Sequence, residues 1–396
     1  MMAGPDRGTS MPVRNMRSPP AGEPPAGPPE PEAGGFLAVD LGAIVANWHE
    51  LARRTAPAEC AAVVKADAYG CGAGPVVRAL NEAGCETFFV AHPDEGRGVR
   101  AVAHNAIIYV LNGLAPGTAA AMAADNLRPV IGSMAELADW IAFRDRSGFG
   151  GGAALQIDTG INRLGLSPEE AAADAVRDGV EKHAVSLIIS HFACADEPAH
   201  PLNARQMADF RDVRALFPKV PGSLANSSGI FLGPDAHHDL VRPGAALYGV
   251  NPTPGHLNLM QTVVRLDGRI IQIRDLAEGE TVGYGATWTA KRATRLAIVG
   301  VGYADGFPRA AGVSDLKPGA EAIVAGRRCP LAGRVSMDLM AVDITDVPDD
   351  GTRRGDIVSL LGDEIGVDEL ASHAGTIGYE VLTSLGRRYR RVYRGG

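Results

Sequence analysis

No long run of Lys or Arg occurs in this chain, whose net charge is −8. It therefore lacks the basic stripe that displaces counterions from nucleic-acid phosphates. Nor does any apolar stretch approach the roughly 20 residues that cross a bilayer, so neither nucleic acid nor membrane is expected as a partner. Cysteine is sparse: Cys60, Cys71, Cys85, Cys194 and Cys329 form no CxxC pair and are odd in number. A chain of 396 residues needs no covalent staples, and a reducing, cytoplasmic location suits five free thiols. The histidines make no metal site. His237 and His238 are adjacent, His183 is isolated, and HxH and HExxH are missing. No GxGxxG follows the first strand, which weakens a dinucleotide-binding reading.

What is present is enough apolar material, 46% of residues, for a large core and a second domain. Residues 1–34 are dense in Pro and Gly and poor in aliphatics, so they are expected to be a disordered tail. This segment has no hydrophobic core of the kind a secretory signal needs, and Met2, Met11 and Met16 leave a later start open. At the other end, "RRYRRVYRGG" reads as a short solvated basic tail.

Between these ends the texture is regular. "LGAIVANWHELARR" puts Ile44, Trp48 and Leu51 on one helical face. The runs "CAAVVK", "TFFVA", "AIIYVL", "LRPVI", "AALQID", "VSLIIS", "GSLAN" and "DLVRPG" alternate with helical segments such as "MAELADWIAFRDR". Strands buried on both faces and separated by helices imply a parallel sheet. Eight such units suit a closed (β/α)8 TIM-type barrel over residues 35–257 better than an open doubly wound sheet. After Leu257 come short alternating runs punctuated by Gly, Asp and Pro. They predict a mainly antiparallel β domain over 258–396, and the strand at 35–40 is expected to pair with it.

In such a barrel chemistry collects at the carboxyl ends of the strands, and Lys65, Arg163, His191, Asn226 and Arg242 lie at or just after such ends. Lys65 closes the otherwise apolar "AAVV" run. An amine in that position either snorkels to solvent or is reactive, because desolvation frees the neutral form for Schiff-base chemistry. "NSSG" offers an amide and hydroxyls, and "RPGAALYG" offers backbone N–H groups at a helix start, where an anion is favoured. Both are also ordinary loop and cap sequences. Together with an amine they match what pyridoxal phosphate requires: an amine for its aldehyde, small groups around its phosphate and a partner for its ring nitrogen.

The strings "VVKADAYGCG", "IDTGINRLG", "SHFACADE", "NSSG", "VRPGAALYG", "VGYGATWTA", "VGYADGFPR", "RVSMDLM" and "IGYEVLTSLGRR" follow one another in an order that resembles the alanine racemases. The resemblance runs from Phe36 to the C-terminus. It implies a homodimeric, pyridoxal 5'-phosphate-dependent isomerase that interconverts L- and D-alanine and supplies D-alanine for peptidoglycan. By this resemblance Lys65 holds the cofactor and serves as the base on the D-alanine side. Tyr284, contributed by the partner subunit, is the base on the L-alanine side. Tyr69, Asn226, Ser227, the backbone at Gly244 and Ala245, and Tyr379 correspond to the phosphate-binding set. Arg242 corresponds to the group facing the ring nitrogen, with His191 beside it. Arg163 corresponds to the residue orienting the phenolic oxygen and the substrate carboxylate, and Met337 and Tyr303 to the lining of a narrow mouth that suits a methyl side chain.

One departure concerns Gln156, which stands where many relatives carry a lysine modified to a carbamate that braces the arginine matching Arg163. Glutamine cannot be carbamylated, so activity is expected not to depend on carbon dioxide. A broader-specificity racemase, a pyridoxal-phosphate decarboxylase of basic amino acids and a non-enzymatic cofactor-binding barrel remain alternatives. Arg242 counts against the decarboxylase, which places an acid at the ring nitrogen, and the long β domain counts against the single-domain barrel.

Overall fold

The computed structural model describes residues 27–182, 185–348 and 351–395. Strand β1 (Gly35–Asp40) alternates buried and half-exposed side chains and runs straight into helix α1 (Leu41–Thr55), where the Asp40 carboxylate accepts the Ala43 N–H at 2.8 Å and caps the first turn. The helix buries Ile44, Trp48 and Leu51, the face its 3.6-residue spacing predicts. Trp48 Nε1 donates to Cys60 O at 3.0 Å, tying the helix to the first barrel strand.

That strand is split into β2 (Glu59–Cys60) and β3 (Ala62–Val63). The others are β4 (Thr87–Val90), β5 (Ile107–Val110), β6 (Arg128–Ile131), β7 (Ala153–Gln156), β8 (Val185–Ile189), β9 (Gly222–Ser223) and β10 (Leu240–Val241). Strands β3 to β9 pair in parallel in chain order, and β10 pairs in parallel with β2. Backbone bonds from Asp239 N to Gly222 O (3.0 Å) and from Arg242 N to Ala225 O (2.9 Å) join β9 to β10 and complete the ring. Val63, Phe89, Tyr109, Val130, Leu187 and Ile189 fill its interior. Helices such as Ala73–Glu82, Pro93–Val102, Met134–Ser147 and Pro201–Ala215 lie between the strands. This is a (β/α)8 barrel.

The second unit is built on β11 (Val264–Leu276). One half of β11 pairs antiparallel with β1, and the other pairs antiparallel with β14 (Thr294–Val299) across a register shift between Ile270 and Gln272. A small hairpin, β12 (Thr281–Val282) and β13 (Trp288–Thr289), projects between them. Strands β15 (Glu321–Val324), β16 (Arg327–Pro330), β17 (Met340–Asp343) and β18 (Ile357–Leu361) extend the sheet. Two helices, α2 (Val367–Ala374) and α3 (Gly378–Ser384), and strand β19 (Arg390–Arg394) close the chain. The two helices were not legible beforehand.

Two expectations need correction. "RRYRRVYRGG" is not a solvated tail: β19 pairs in parallel with β1, and Tyr389 and Arg391 are buried. The positive charge of this stretch hides a backbone that completes the sheet. The tail expected through residue 34 is also too long. Ala33 is buried, and Arg269 donates to Ala33 O at 3.0 Å and Glu30 O at 2.9 Å, so a Pro-rich segment that cannot form a ladder is held by a side chain instead. Residues 1–26 and His183 lie outside the described residues. The five cysteines are free. Among the described residues no cluster of His, Cys, Asp and Glu suits a metal, and no helix is long and apolar enough to cross a membrane.

Leu37 is buried on β1, flanked by β11 and β19. Leu37→Ala should destabilise the chain by about 2–5 kcal/mol, seen as a lower denaturant midpoint with an unchanged slope.

Candidate active site

A cavity of about 1030 Å³ opens at the carboxyl ends of the barrel strands. Lys65 and Tyr69 enter it after β3, Arg163 after β7, His191 after β8, Asn226 and Ser227 after β9, and Arg242, Gly244 and Ala245 after β10. Tyr379 reaches it from helix α3.

The backbone after Lys65 is unusual. Ala66, Asp67, Ala68 and Tyr69 all have φ of 53–54°, and Gly70 follows at 79°. A left-handed turn costs a residue with a side chain roughly 1–2 kcal/mol, so four in succession persist only when the surroundings over-determine them. Here Gly70 N bonds Ala66 O at 2.8 Å, Gly72 N bonds Asp67 O at 2.8 Å, and Ala73 N bonds the Asp67 carboxylate at 2.7 Å. The Tyr69 ring stacks on Tyr248 with centroids 4.7 Å apart, and the Tyr248 hydroxyl donates to Val63 O at 3.0 Å. The turn sends the Tyr69 hydroxyl against Gly244, where a Cβ would sit only 2.4 Å away, so the close approach requires glycine there.

The cavity is cationic at its floor. Burial, followed by the Arg163 guanidinium, holds the Lys65 amine below the usual lysine range, against the opposing pull of Glu95. Burial and then Arg242, Arg163 and Lys65 push His191 down to about 3, so its imidazole is neutral. Burial draws Arg242 down to about 9, which leaves it charged near neutrality. Arg242 donates to Ser223 O at 2.8 Å and to the Ser223 hydroxyl and Ser190 O. These are neutral acceptors, and they leave its charge uncompensated.

Ser227 Oγ accepts from Gly244 N at 2.9 Å and from Ala246 N at 3.2 Å, and Asn226 Oδ1 accepts from Gly229 N at 2.9 Å. These bonds shape a small polar cradle beside the Tyr69 hydroxyl. Gln156 is buried and lines the same cavity as Arg163, and its amide donates to Leu164 O at 2.8 Å.

Three expected residues lie elsewhere. Tyr284, Tyr303 and Met337 sit on the β domain and are exposed, Tyr284 by 72%. Tyr284 tops the β12–β13 hairpin between Gly283 and Gly285, whose φ values of 75° and 79° make the tight tip. Tyr303 N donates to Ser336 O at 3.0 Å and Ala304 N to Met337 O at 2.9 Å, so the two loops form one lip. Arg388 braces it, contacting Asp305 at 3.0 Å and Asp338 at 2.8 Å. Sequence reading missed Tyr248, Glu95 and Arg391. Glu95 carried only a helix-start signal, and Arg391 was hidden in the basic stretch.

The profile "Alanine racemase, N-terminal domain" matches residues 39–252, and "Alanine racemase, C-terminal domain" matches residues 263–393. The chain is 52% identical over 360 residues to an alanine racemase of Methylobacterium sp. (strain 4-46), covering 91% of this chain and 98% of the relative. It is 46% identical to a catabolic alanine racemase of Mesorhizobium japonicum, covering 93% and 95%. The crystal structure of alanine racemase from Bartonella henselae with covalently bound pyridoxal phosphate superposes with a TM-score of 0.85 at 38% identity, over 91% of this chain and 99% of that one.

Because His191 is held near 3 in the fold and titrates near 6.5 when free, the unfolded chain takes up a proton first as pH falls. His191 should therefore destabilise the fold increasingly from about pH 6.5 down towards 3. Equilibrium unfolding at several pH values should show a shallower acid decline in His191→Asn, and the His191 ring should not titrate between pH 5 and 8 by NMR.

Proposed function

The chain belongs to the alanine racemase family, pyridoxal-phosphate-dependent isomerases of L- and D-alanine, and we propose that Lys65 of one copy and Tyr284 of a second are its two bases. The observation that carries this reading is a lysine of lowered pKa sharing a cavity with a buried arginine that has only neutral acceptors as partners. When bound, pyridoxal phosphate supplies an aldehyde for an amine and a conjugated ring that delocalises the electron pair left at the substrate α-carbon.

The residues present fit that group. The Lys65 amine is desolvated and available to the aldehyde. Tyr69, Asn226, Ser227, the backbone at Gly244 and Ala245, and Tyr379 would hold the phosphate, in the cradle that a Cβ on Gly244 would fill. Arg242 would face the ring nitrogen, backed by neutral His191. Because a guanidinium donates hydrogen bonds and accepts no proton, Arg242 would offer that nitrogen a hydrogen bond and favour its unprotonated form. Arg163 would orient the phenolic oxygen and the substrate carboxylate.

Racemisation removes a proton from one face of a carbon and delivers one to the other, so it needs a base on each side. Lys65 lines the cavity while Tyr284 of the same chain stands exposed on the β domain. A homodimer in which each copy completes the other's site reconciles these positions. In that arrangement Tyr284, Tyr303 and Met337 of the second copy close the mouth, and the narrow opening favours a methyl side chain. We assign the enzyme to the cytoplasm, in keeping with its free thiols, and its product to cell-wall peptidoglycan. A decarboxylase reading is disfavoured by the neutral partners of Arg242. Loss of optical rotation with L-alanine, L-serine and L-lysine, measured side by side, separates it from a broader-specificity racemase.

Tyr284→Phe should slow racemisation by about 10²–10⁴-fold in both directions alike, since the two enantiomers are equal in free energy. Mixed in equal amounts after subunit exchange, Lys65→Ala and Tyr284→Phe chains should recover about a quarter of the parental sites, since half of the dimers are hybrid and each rebuilds one site. No recovery refutes the shared site. Stripping bicarbonate should leave activity unchanged; loss reversed by readdition contradicts the role given to Gln156. Deleting the gene should create a D-alanine requirement for growth. A strain that loses only growth on alanine as carbon source assigns the product to breakdown instead.

A further inference from the structure

We propose that Glu95 is a positioning residue for the reaction: it fixes Lys65 by holding the first amide of the left-handed turn, opposite Arg391, which holds the last carbonyl. This rests on the assignment of Lys65 as the cofactor lysine and base. Glu95 is the third residue of the helix Pro93–Val102. One carboxylate oxygen accepts from Ala91 N at 2.7 Å and His92 N at 3.0 Å, which is the work of a capping box. The other oxygen leaves the helix and accepts from Ala66 N at 2.6 Å, directly after Lys65.

At the far end of the turn, Arg391 Nη1 donates to Gly70 O at 2.7 Å, and Nη2 donates to Leu385 O and Gly386 O at 3.2 Å each. A buried guanidinium bound to three carbonyls, with no carboxylate among these partners, is costly to keep for stability alone. It lashes the last strand of the chain to the turn that carries the lysine. Between these two fixings, Ala66 to Tyr69 hold a conformation they would otherwise leave.

A capping box without this role exists in the same chain. Glu170 caps the helix Pro168–Ala172 through Ser167, accepting its N–H at 2.9 Å. It provides a control for the loss of a cap as such. Charge adds a second signature. The Arg163 guanidinium faces Lys65 from a barrel loop, with neutral His191 beside it, and Glu95 is the carboxylate that counters Arg163 from its helix.

The test follows covalent capture of pyridoxal phosphate by the full-length, cofactor-stripped protein. The rate is read from absorbance across a pH series, and the adduct is fixed with borohydride and located by peptide mapping. In Glu95→Gln the amide keeps one acceptor but loses the charge. Its limiting rate should fall roughly tenfold as the lysine loses its alignment, and the midpoint pH of the rate should move lower. Glu95→Asp keeps the charge but falls short of Ala66, so its limiting rate should fall with the midpoint unmoved. Glu170→Gln should match the parent in both. The proposal is overturned if Glu95→Gln and Glu95→Asp stay within about twofold of the parent, or if Glu170→Gln changes the rate equally. A parent chain with no borohydride-fixed adduct on Lys65 overturns the lysine assignment itself, and this proposal with it.

Discussion

The seam between β10 and the split first strand is the contact on which the rest depends. Ala61 N bonds Val241 O at 3.0 Å and Val63 N bonds Pro243 O at 2.9 Å. These bonds turn a row of parallel strands into a ring. They also fix the two chain positions that matter most to the chemistry: Lys65 is two residues beyond Val63 on one side of the seam, and Arg242 stands between Val241 and Pro243 on the other. Nearly 180 residues of intervening chain are gathered so that an amine and a guanidinium share one floor. No local preference of either segment would bring them together.

Around that floor the protein arranges charge without neutralising it. Arg242 is bound by carbonyls and a hydroxyl, His191 is kept neutral by burial and then by its cationic neighbours, and Lys65 is shifted towards its uncharged form. Pairing these groups with carboxylates would be easier on stability, because a buried cation without a counter-ion is costly. The arrangement instead reserves positive potential for an anionic guest. The left-handed turn after Lys65 belongs to the same pattern, since strain is retained where it aims a reactive side chain.

Much of this was legible in the residues. The eight apolar runs correspond to the barrel strands because a strand buried on both faces writes itself as a continuous apolar word. The alternating runs after Leu257 correspond to the strands of the second unit. Order along the chain also pointed to the cavity, since ten of the expected site residues line it. What escaped notice was long-range. Glu95 reaches Ala66 across 29 residues and Arg391 reaches Gly70 across 321, and neither bond leaves a mark on its neighbours in sequence. Four successive residues at positive φ are equally silent, because alanine and tyrosine disfavour that region and the one aspartate visits it only singly as a rule. The basic C-terminus misled because charge was read as solvation when its backbone was completing a sheet.

The placement of β1 has a consequence for biosynthesis. The first strand lies between β11 and β19, so its two neighbours come from the middle and the very end of the polypeptide. During translation, the barrel segments emerge and can begin to pair while β1 waits beside them with both edges bare. An unpaired strand is an adhesive surface; β11 can cover one edge of β1, and the other edge stays bare until β19 has been made. Emergence of β19 is therefore the event that covers the strand. The same strand carries Arg391, so the lysine turn acquires its far tether only after β19 has been made.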